Sequence, residues 1–222
     1  MRLILASASP RRAELLRAAG FLFDIVVADV DESIRVGESP QTYVRRLAAD
    51  KTATVVSGFS RTGPPECGHN ASSDAIILGA DTAVVIDGDI LGKPRDDVDA
   101  AAMLARLSGR RHQVMTGVSV RCGPLEVGRV EITDVDFVRL TQADVKWYLE
   151  SGEGRDKAGA YAIQGLASRF IPRIEGSYSN VVGLPIACVV ELIRHLSGCP
   201  PAVDGENSDK RPGLKPKSSW LL

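Results

Sequence analysis

Apolar and polar positions alternate along the chain in segments that predict strands and helices in turn. Short apolar runs and two-residue alternation predict strands at 3–5, 23–30, 75–80, 82–86, 89–91, 113–121 and 129–140. Apolar residues three or four apart predict one helix between Pro10 and Gly20, and others at 39–57, 97–107, 141–150 and 185–196. Strands and helices that alternate in this way predict an α/β protein.

The length of 222 residues suits one large α/β domain or two small lobes, and we expect a single domain to span 1–198. Within it, the segment 58–73 is rich in glycine, proline and serine and predicts a surface insertion. The segment 199–222 is polar and lacks a periodic apolar pattern, so it predicts a disordered tail. The sequence contains no internal repeat.

The first helix begins with positive charge, although a helix start already carries a partial positive charge. Ser9 is a predicted N-cap and Pro10 suits the first helical position, yet Arg11 and Arg12 follow at once. Two cations there cost roughly 0.3–1 kcal/mol each. An anion would resolve the conflict, because free N–H groups, both guanidiniums and the hydroxyls of Ser7 and Ser9 form a phosphate site. The alternative is a solvated arginine pair on an ordinary first turn.

Lys51 lies on the predicted core-facing side of the helix at 39–57. It shares a stripe of 3.6-residue spacing with the apolar residues Val44, Leu47, Ala48 and Val55. A buried ammonium is costly unless it reaches water or meets an anion. Lys51 therefore either extends to solvent or binds an anion, and both interpretations stay open at this point.

Asp81 follows an apolar strand and is predicted at the end of that strand, open to a cleft. The Asp87-Gly88 turn predicts a hairpin whose register places Thr82 opposite Lys93, next to Asp81. The hairpin then offers a carboxylate and an ammonium at one edge. The alternative for Asp81 is a turn aspartate that bonds its own backbone.

Two acids, Asp31 and Glu32, follow a predicted strand and can supply a second carboxylate near Asp81. Paired carboxylates suit a hard divalent cation, usually Mg²⁺ with Mn²⁺ as the alternative, shared with substrate phosphates. The alternative for Glu32 is a solvated loop acid.

The glycine-rich segment 154–165 carries Gln164, whose amide both donates and accepts hydrogen bonds, as reading a base edge requires. Its neighbours Asp156 and Lys157 suit a surface ion pair. The three histidines show no metal-ligand spacing and receive no role. No Gly-x-Ser-x-Gly signal for a nucleophile is present.

Composition narrows the class of ligand. The formal net charge is -1, with 44% hydrophobic and 5% aromatic residues, so the sequence disfavours nucleic acid and a membrane surface as partners. No apolar run reaches transmembrane length, and the first residues do not predict a signal peptide. Four scattered cysteines predict a reduced, cytoplasmic protein without disulfides or a zinc site: Cys67, Cys122, Cys188 and Cys199. A small phosphorylated ligand suits such a protein better than a polymer.

Together these residues resemble the Maf family of nucleoside triphosphate pyrophosphatases. The matching segments are Ala6-Ser-Ala-Ser-Pro-Arg-Arg12, Glu32, Lys51, Gly79-Ala-Asp-Thr82, Gly92-Lys-Pro94, Ala158-Gly-Ala-Tyr-Ala-Ile-Gln-Gly165 and Gly176-Ser-Tyr-Ser-Asn-Val-Val-Gly-Leu-Pro185. The resemblance covers about 1–197, and the ordered set is specific although each piece alone is weak. It implies an elongated, two-lobed α/β fold of the Maf/ITPase type, with a central mixed β-sheet flanked by helices and a deep nucleotide cleft.

The resemblance also implies the catalytic residues. Asp81 would act on water as a general base or through a metal, and Glu32 would help it. Asp81 and Glu32 would hold the divalent cation, Mg²⁺ or Mn²⁺. Lys51 and Lys93 would complete the catalytic set.

Substrate binding is implied in the same way. The phosphates would be held by Ser7, Arg11, Arg12, Lys51 and Lys93. Arg12, Thr82 and Gln164 match positions that the family uses to choose the base. Thr82 after the key aspartate is similar to the branch that acts on dTTP and UTP.

The implied reaction converts a nucleoside triphosphate to its monophosphate and pyrophosphate, a housecleaning role in the nucleotide pool. One alternative is the same fold acting on a modified purine triphosphate such as 7-methyl-GTP. Another is a nucleotide-binding regulator of cell division without turnover. A homodimer stays open, because the insertion and the tail depart from the family's pattern.

Overall fold

A mixed seven-stranded sheet forms the centre of the computed structural model, which describes residues 2–59 and 75–197. The strands are β1 (Arg2–Ala6), β2 (Asp24–Ile25), β3 (Ala75–Ile86), β4 (Asp89–Leu91), β5 (Arg111–Cys122), β6 (Leu125–Asp136) and β7 (Arg173–Glu175). The helices are α1 (Pro10–Ala18), α2 (Pro40–Phe59), α3 (Asp97–Leu107), α4 (Gln142–Ser151), α5 (Tyr178–Val182) and α6 (Ile186–Ser197). The predicted α/β class with a central mixed sheet is confirmed.

The predicted insertion and tail fall almost wholly outside the described residues. Helix α2 extends to Phe59, two positions into the segment predicted as the insertion. The remainder of that segment, with Cys67 and His69, and the tail at 199–222 lie outside the described ranges.

One edge of the long strand β3 has a gap between two shorter partners. Strand β1 pairs in parallel up to Gly79, β4 pairs in antiparallel from Val84, and β5 occupies the whole opposite edge. The carboxyl ends of β1 and β4 therefore point towards each other across 80–83. Ligands of α/β proteins bind beyond the carboxyl ends of strands, so this gap is where a site is expected.

The prediction of a strand end at Asp81 is wrong. Asp81 lies inside β3, paired with Gly117 of β5, and its residue surface is only 8% exposed. The apolar pattern breaks at Asp81 because the neighbouring strand on one edge is interrupted, whereas β3 itself continues.

Hydrophobic cores lie on both sides of this break. On one face of β3, Ala80 belongs to a core with α1 and α6, and Val84 belongs to a second core with α3 and α4. Thr82 lies between them on the same face, since side chains of a strand alternate. Asp81 points to the opposite face, towards α2. The two polar residues thus interrupt the core on either side of the sheet.

All five predicted helices are confirmed, including α4 with its capping box between Thr141 and Asp144, whereas the short helix α5 was not predicted. The predicted strand at 23–30 is wrong beyond two residues. Strand β1 ends at Ala6, so after Val26 donates to the carbonyl of Leu5 the segment has no neighbouring strand to pair with in the described structure. No helix in the described ranges combines the length and apolar character needed to cross a bilayer.

His112 lies buried in the second core, within an aromatic cluster. Its Nε2 is 2.8 Å from the hydroxyl of Tyr161, and its ring packs edge-on against Phe137. Its Nδ1 has no hydrogen-bond partner among the described residues. Burial lowers the pKa of His112 to about 4, so the folded protein holds this imidazole in its neutral form.

We expect acid to destabilise the fold through His112. Between pH 6.5 and 4, His112 binds a proton in the unfolded chain, where its pKa is ordinary, but stays neutral in the folded protein. Stability from the neutral ring is present above that window and is lost as the pH falls through it. Urea unfolding measures the fall in the free energy of unfolding from pH 7 to pH 5. This fall should be about 2 kcal/mol larger in the native protein than in His112→Gln, which keeps a hydrogen-bond partner for Tyr161. Equal losses in both proteins would contradict this.

Candidate active site

Lys51 joins two carboxylates beside the gap in the sheet. Its Nζ donates to Asp81 Oδ1 at 2.6 Å and to Glu32 Oε1 at 2.9 Å. The side chains of Lys51 and Asp81 are 8% and 11% exposed, whereas that of Glu32 is 52% exposed. The prediction that Asp81 is open to a cleft is therefore wrong, because its carboxylate is buried and paired with the ammonium of Lys51. Of the two interpretations of Lys51, the structure supports the bound anion.

Helix α2 can bring Lys51 this close because two glycines let its backbone touch the sheet. A Cβ on Gly79 would lie 2.5 Å from the carbonyl oxygen of Ala48, and one on Gly117 would lie 2.2 Å from that of Val44. Any side chain at these positions would push α2 away from the sheet. The ammonium of Lys51 would then no longer reach Asp81.

Arg12 is buried on the other side of the gap and bonds three separate parts of the chain. Its Nε donates to the carbonyl of Gly183 at 2.8 Å, its Nη1 to Ser7 Oγ at 3.3 Å, and its Nη2 to Thr82 Oγ1 at 3.0 Å. Thr82 Oγ1 also lies 2.9 Å from Thr116 Oγ1. Arg12 thereby ties the hydroxyl of Thr82 to the turn that follows α5.

The carboxylates of Asp81 and Glu32 interact electrostatically with the guanidinium of Arg12. Burial lowers the pKa of its guanidinium, and the charges of Asp81 and Glu32 oppose that effect. The guanidinium of α1 and the carboxylates beside α2 therefore share one electrostatic site. This convergence is what a phosphate-binding centre with a neighbouring acid requires.

Glu32 is held ionised by the cations around it. Burial alone would raise its pKa, but the hydrogen bond and charge of Lys51, with smaller contributions from Lys93 and Arg12, lower it overall. Lys93 itself is exposed and forms no ion pair within the described residues. Its ammonium is thus free to meet a ligand.

Ser7, Arg11 and Gln164 complete the predicted set. Ser7 is buried, and its Oγ accepts from the backbone N–H of Ser9 at 3.2 Å. Ser9 occupies the predicted N-cap position of α1, although its side chain makes no capping hydrogen bond. Arg11 is half-buried, and its charge acts on Tyr148 of the second core. Gln164 is exposed and forms no hydrogen bond with the other site residues in the described ranges.

The segment that carries Gln164 is held from beneath by Glu153. Its carboxylate accepts from the backbone N–H groups of Leu166 and Ala167 and from the hydroxyl of Tyr148. The expected surface pair between Asp156 and Lys157 is present. The loop is therefore anchored, with Gln164 at its outer surface.

Some residues that support the site were not predicted from the sequence. Tyr43 and Arg46 of α2 contact the backbone around Glu32. Thr116 is fully buried in β5 beside Thr82. The signal for Thr116 was a hydroxyl inside a buried apolar strand, whereas nothing in the local sequence connects Tyr43 or Arg46 with the loop of Glu32.

The chain matches known proteins over most of its length. Residues 2–196 match the family described as Maf-like protein. The dTTP/UTP pyrophosphatase of Anaeromyxobacter dehalogenans (strain 2CP-C) is 47% identical over 197 residues, covering 87% of this chain and 93% of that protein. The protein of the same name from Vibrio cholerae is 47% identical over 185 residues, covering 83% of this chain and 92% of that protein. The chain therefore belongs to the Maf family, as its motifs predicted.

Proposed function

We propose that this protein hydrolyses nucleoside triphosphates to the monophosphate and pyrophosphate, with dTTP and UTP as substrates. The observation that carries the proposal is the cluster at the gap, where Lys51 bridges Asp81 and Glu32 while Arg12 binds Ser7 and Thr82. The relatives named dTTP/UTP pyrophosphatase support the choice of substrates.

The residues at the gap suit phosphoryl chemistry because that chemistry depends on positioning and on charge stabilisation. Cationic groups outnumber nucleophiles there, since Arg12 and Lys51 lie at the gap and the charge of Lys93 acts on Glu32. In the proposal, Arg11 joins them when the phosphates bind. Asp81 Oδ1 accepts from Lys51, and Oδ2 has no hydrogen-bond partner among the described residues. In the proposed reaction, this second oxygen orients a water and takes its proton as the water attacks the α-phosphorus. Pyrophosphate then leaves.

The donor set fits a hard divalent cation. Asp81 and Glu32 each place a carboxylate oxygen on the Lys51 ammonium, so the two carboxylates lie close enough together to share one cationic group. Mg²⁺ is commonly held by one or two carboxylates plus substrate phosphates, and Asp81 and Glu32 would supply the two carboxylates. When bound, Mg²⁺ or Mn²⁺ would neutralise phosphate charge.

The proposed partner is a free nucleotide. A site recessed in the gap of a sheet suits a small phosphorylated ligand, and the net charge of -1 gives no general attraction to nucleic acid. We place the enzyme in the cytoplasm, where the nucleotide pool lies, and a homodimer is the assembly we would test first.

Pyrophosphate release across a panel of nucleotides, with and without Mg²⁺, tests the proposal. We expect turnover of dTTP and UTP that depends on the cation. Preferred turnover of 7-methyl-GTP would assign the same chemistry to a modified purine. Tight binding of nucleotides without turnover of any nucleotide in the panel would indicate a nucleotide-binding regulator and not an enzyme.

Arg11→Ala is expected to weaken binding of a non-hydrolysable triphosphate by about tenfold or more, and binding of the nucleoside by less than about twofold. Arg11 is half-buried without an ion pair in the described structure, so its charge is available to phosphates. Arg17→Ala, on the same helix but exposed over Phe23, is the matched control. Calorimetric titration measures the affinities of both variants. Equal losses of affinity for the triphosphate and the nucleoside in Arg11→Ala would contradict a role of Arg11 in phosphate binding.

A further inference from the structure

The segment that carries Glu32 is held by side chains of α2 at three successive carbonyl groups. Arg46 Nη1 reaches the carbonyl of Asp31 at 3.5 Å, and Arg46 Nη2 reaches that of Ser33 at 3.0 Å. Between them, the hydroxyl of Tyr43 donates to the carbonyl of Glu32 at 3.0 Å. We call Tyr43, Arg46 and their contacts the α2 clamp. The backbone is thus fixed directly at Glu32 and on either side of it.

Arg46 is itself locked in place. Its Nε and Nη2 donate to the two carboxylate oxygens of Glu38 at 2.6 and 2.8 Å, and the two side chains are only 11% and 5% exposed. Bidentate pairs of this kind fix geometry as well as charge. Glu38 also accepts from the backbone N–H of Arg35 at 3.1 Å. The guanidinium therefore ties both ends of the 31–38 loop to α2.

The loop has little other support. Its apolar residues Ile34 and Val36 are 55% and 108% exposed, so these two side chains are not buried against any other part of the described structure. The side chain of Glu32 is half-exposed, and Lys51 is its side-chain partner in the described structure. The position of this carboxylate consequently depends on the backbone beneath it.

The same helix carries the clamp and Lys51. The distance between the Glu32 carboxylate and the ammonium is therefore set within one rigid element and the loop that it holds.

We propose that Tyr43 and Arg46 are positioning residues, which hold Glu32 against Lys51 and thereby set the turnover rate. The inference deepens the proposed function and rests on it for the rate, although not for the geometry. Small displacements of positioned groups cost large factors in rate, so loss of the clamp should lower kcat more than it changes KM.

The test places Tyr43→Phe and Arg46→Lys in the native and in the Glu32→Gln background. In the native background, kcat for dTTP should fall by about tenfold in Arg46→Lys, with KM changed by less than about threefold. In the Glu32→Gln background, the same substitution should change kcat by less than about twofold, because its effect passes through Glu32. Equal losses in both backgrounds would overturn the proposal, since Arg46 would then act through general stability.

A second measurement does not need turnover. NMR titration of Glu32 should show that its pKa rises towards the ordinary value in Tyr43→Phe and in Arg46→Lys, because the carboxylate leaves Lys51. An unchanged pKa in both variants would overturn the positioning role even in an active enzyme. Absence of turnover in the native protein, with the pKa shift present, would contradict only the proposed function.

Arg111→Lys is the matched control. The guanidinium of Arg111 on β5 forms a similar bidentate pair with the carboxylate of Asp136 on β6, away from the gap. Its Nε lies 2.8 Å from Asp136 Oδ1. The substitution should leave kcat and the Glu32 pKa unchanged.

Discussion

Replacing Asp81 by asparagine is expected to lower kcat by at least about 100-fold, with nucleotide affinity changed by less than about tenfold. The amide keeps the size of the side chain and can still accept a hydrogen bond from Lys51, but it cannot take a proton from water. Lys51 retains Glu32 as a charged partner, so the phosphate-binding cations stay in place. Binding of a non-hydrolysable nucleotide and steady-state pyrophosphate release measure the two effects separately.

Asp89→Asn is the control for this substitution. Asp89 lies in the hairpin next to β3, is exposed, and pairs with Arg106 at 2.8 Å. Its removal should leave turnover unchanged. If Asp81→Asn turned over dTTP at the native rate, the proposed catalytic role of this carboxylate would be refuted.

Replacing Lys51 by methionine is expected to remove most activity and to lower the free energy of unfolding by about 3 kcal/mol. Methionine fits the apolar stripe of α2, but it leaves the Asp81 carboxylate buried without its partner. An uncompensated buried charge is the main cost when one member of such a pair is removed. Urea unfolding measures the loss.

Two variants make this result specific. Lys146→Met removes an exposed lysine whose Nζ lies 3.9 Å from Glu150 Oε1. It should lower the free energy of unfolding by less than about 0.5 kcal/mol. The double substitution Lys51→Met with Asp81→Asn should regain much of the lost stability, because no buried charge is then left unpaired and the carboxylate of Glu32, which also loses Lys51, is half-exposed. A double variant as unstable as Lys51→Met alone would show that the loss has another origin.

The Lys51→Met variant also tests the proposed cation site without an activity assay. Two carboxylates that lose their shared ammonium should bind a divalent cation more tightly. Mg²⁺ is therefore expected to raise the Tm of Lys51→Met more than that of the native protein. The double variant with Asp81→Asn should lose this response, since one of the two carboxylates is gone.

Several features of the site could be predicted because they depend on near neighbours in the chain. The apolar stripe of α2 correctly placed Lys51 on the sheet-facing side. The Asp87-Gly88 turn set the hairpin register, in which Val84 pairs with Leu91, so Lys93 follows β4 towards the gap. The excess of positive charge at the start of α1 signalled an unusual helix start. Periodicity and turn chemistry report on such short-range geometry.

Other features could not be predicted, because they depend on which distant segments pack together. The pattern around Asp81 resembles a strand end, and only the pairing with β5 shows that β3 is continuous. The segments at 60–74 and 198–222 lie outside the described residues, so the insertion and the tail stay predictions.

By itself, the sequence determined the α/β class, the family, most helices and the identity of the charged residues that meet at the site. Only the tertiary structure decided what each charge binds. Arg12 contacts the carbonyl of Gly183, 171 positions away, and Arg46 holds the loop of Glu32. Local patterns carry no information about such contacts, because a guanidinium or an ammonium can satisfy its charge with any acceptor that the fold brings within about 3 Å.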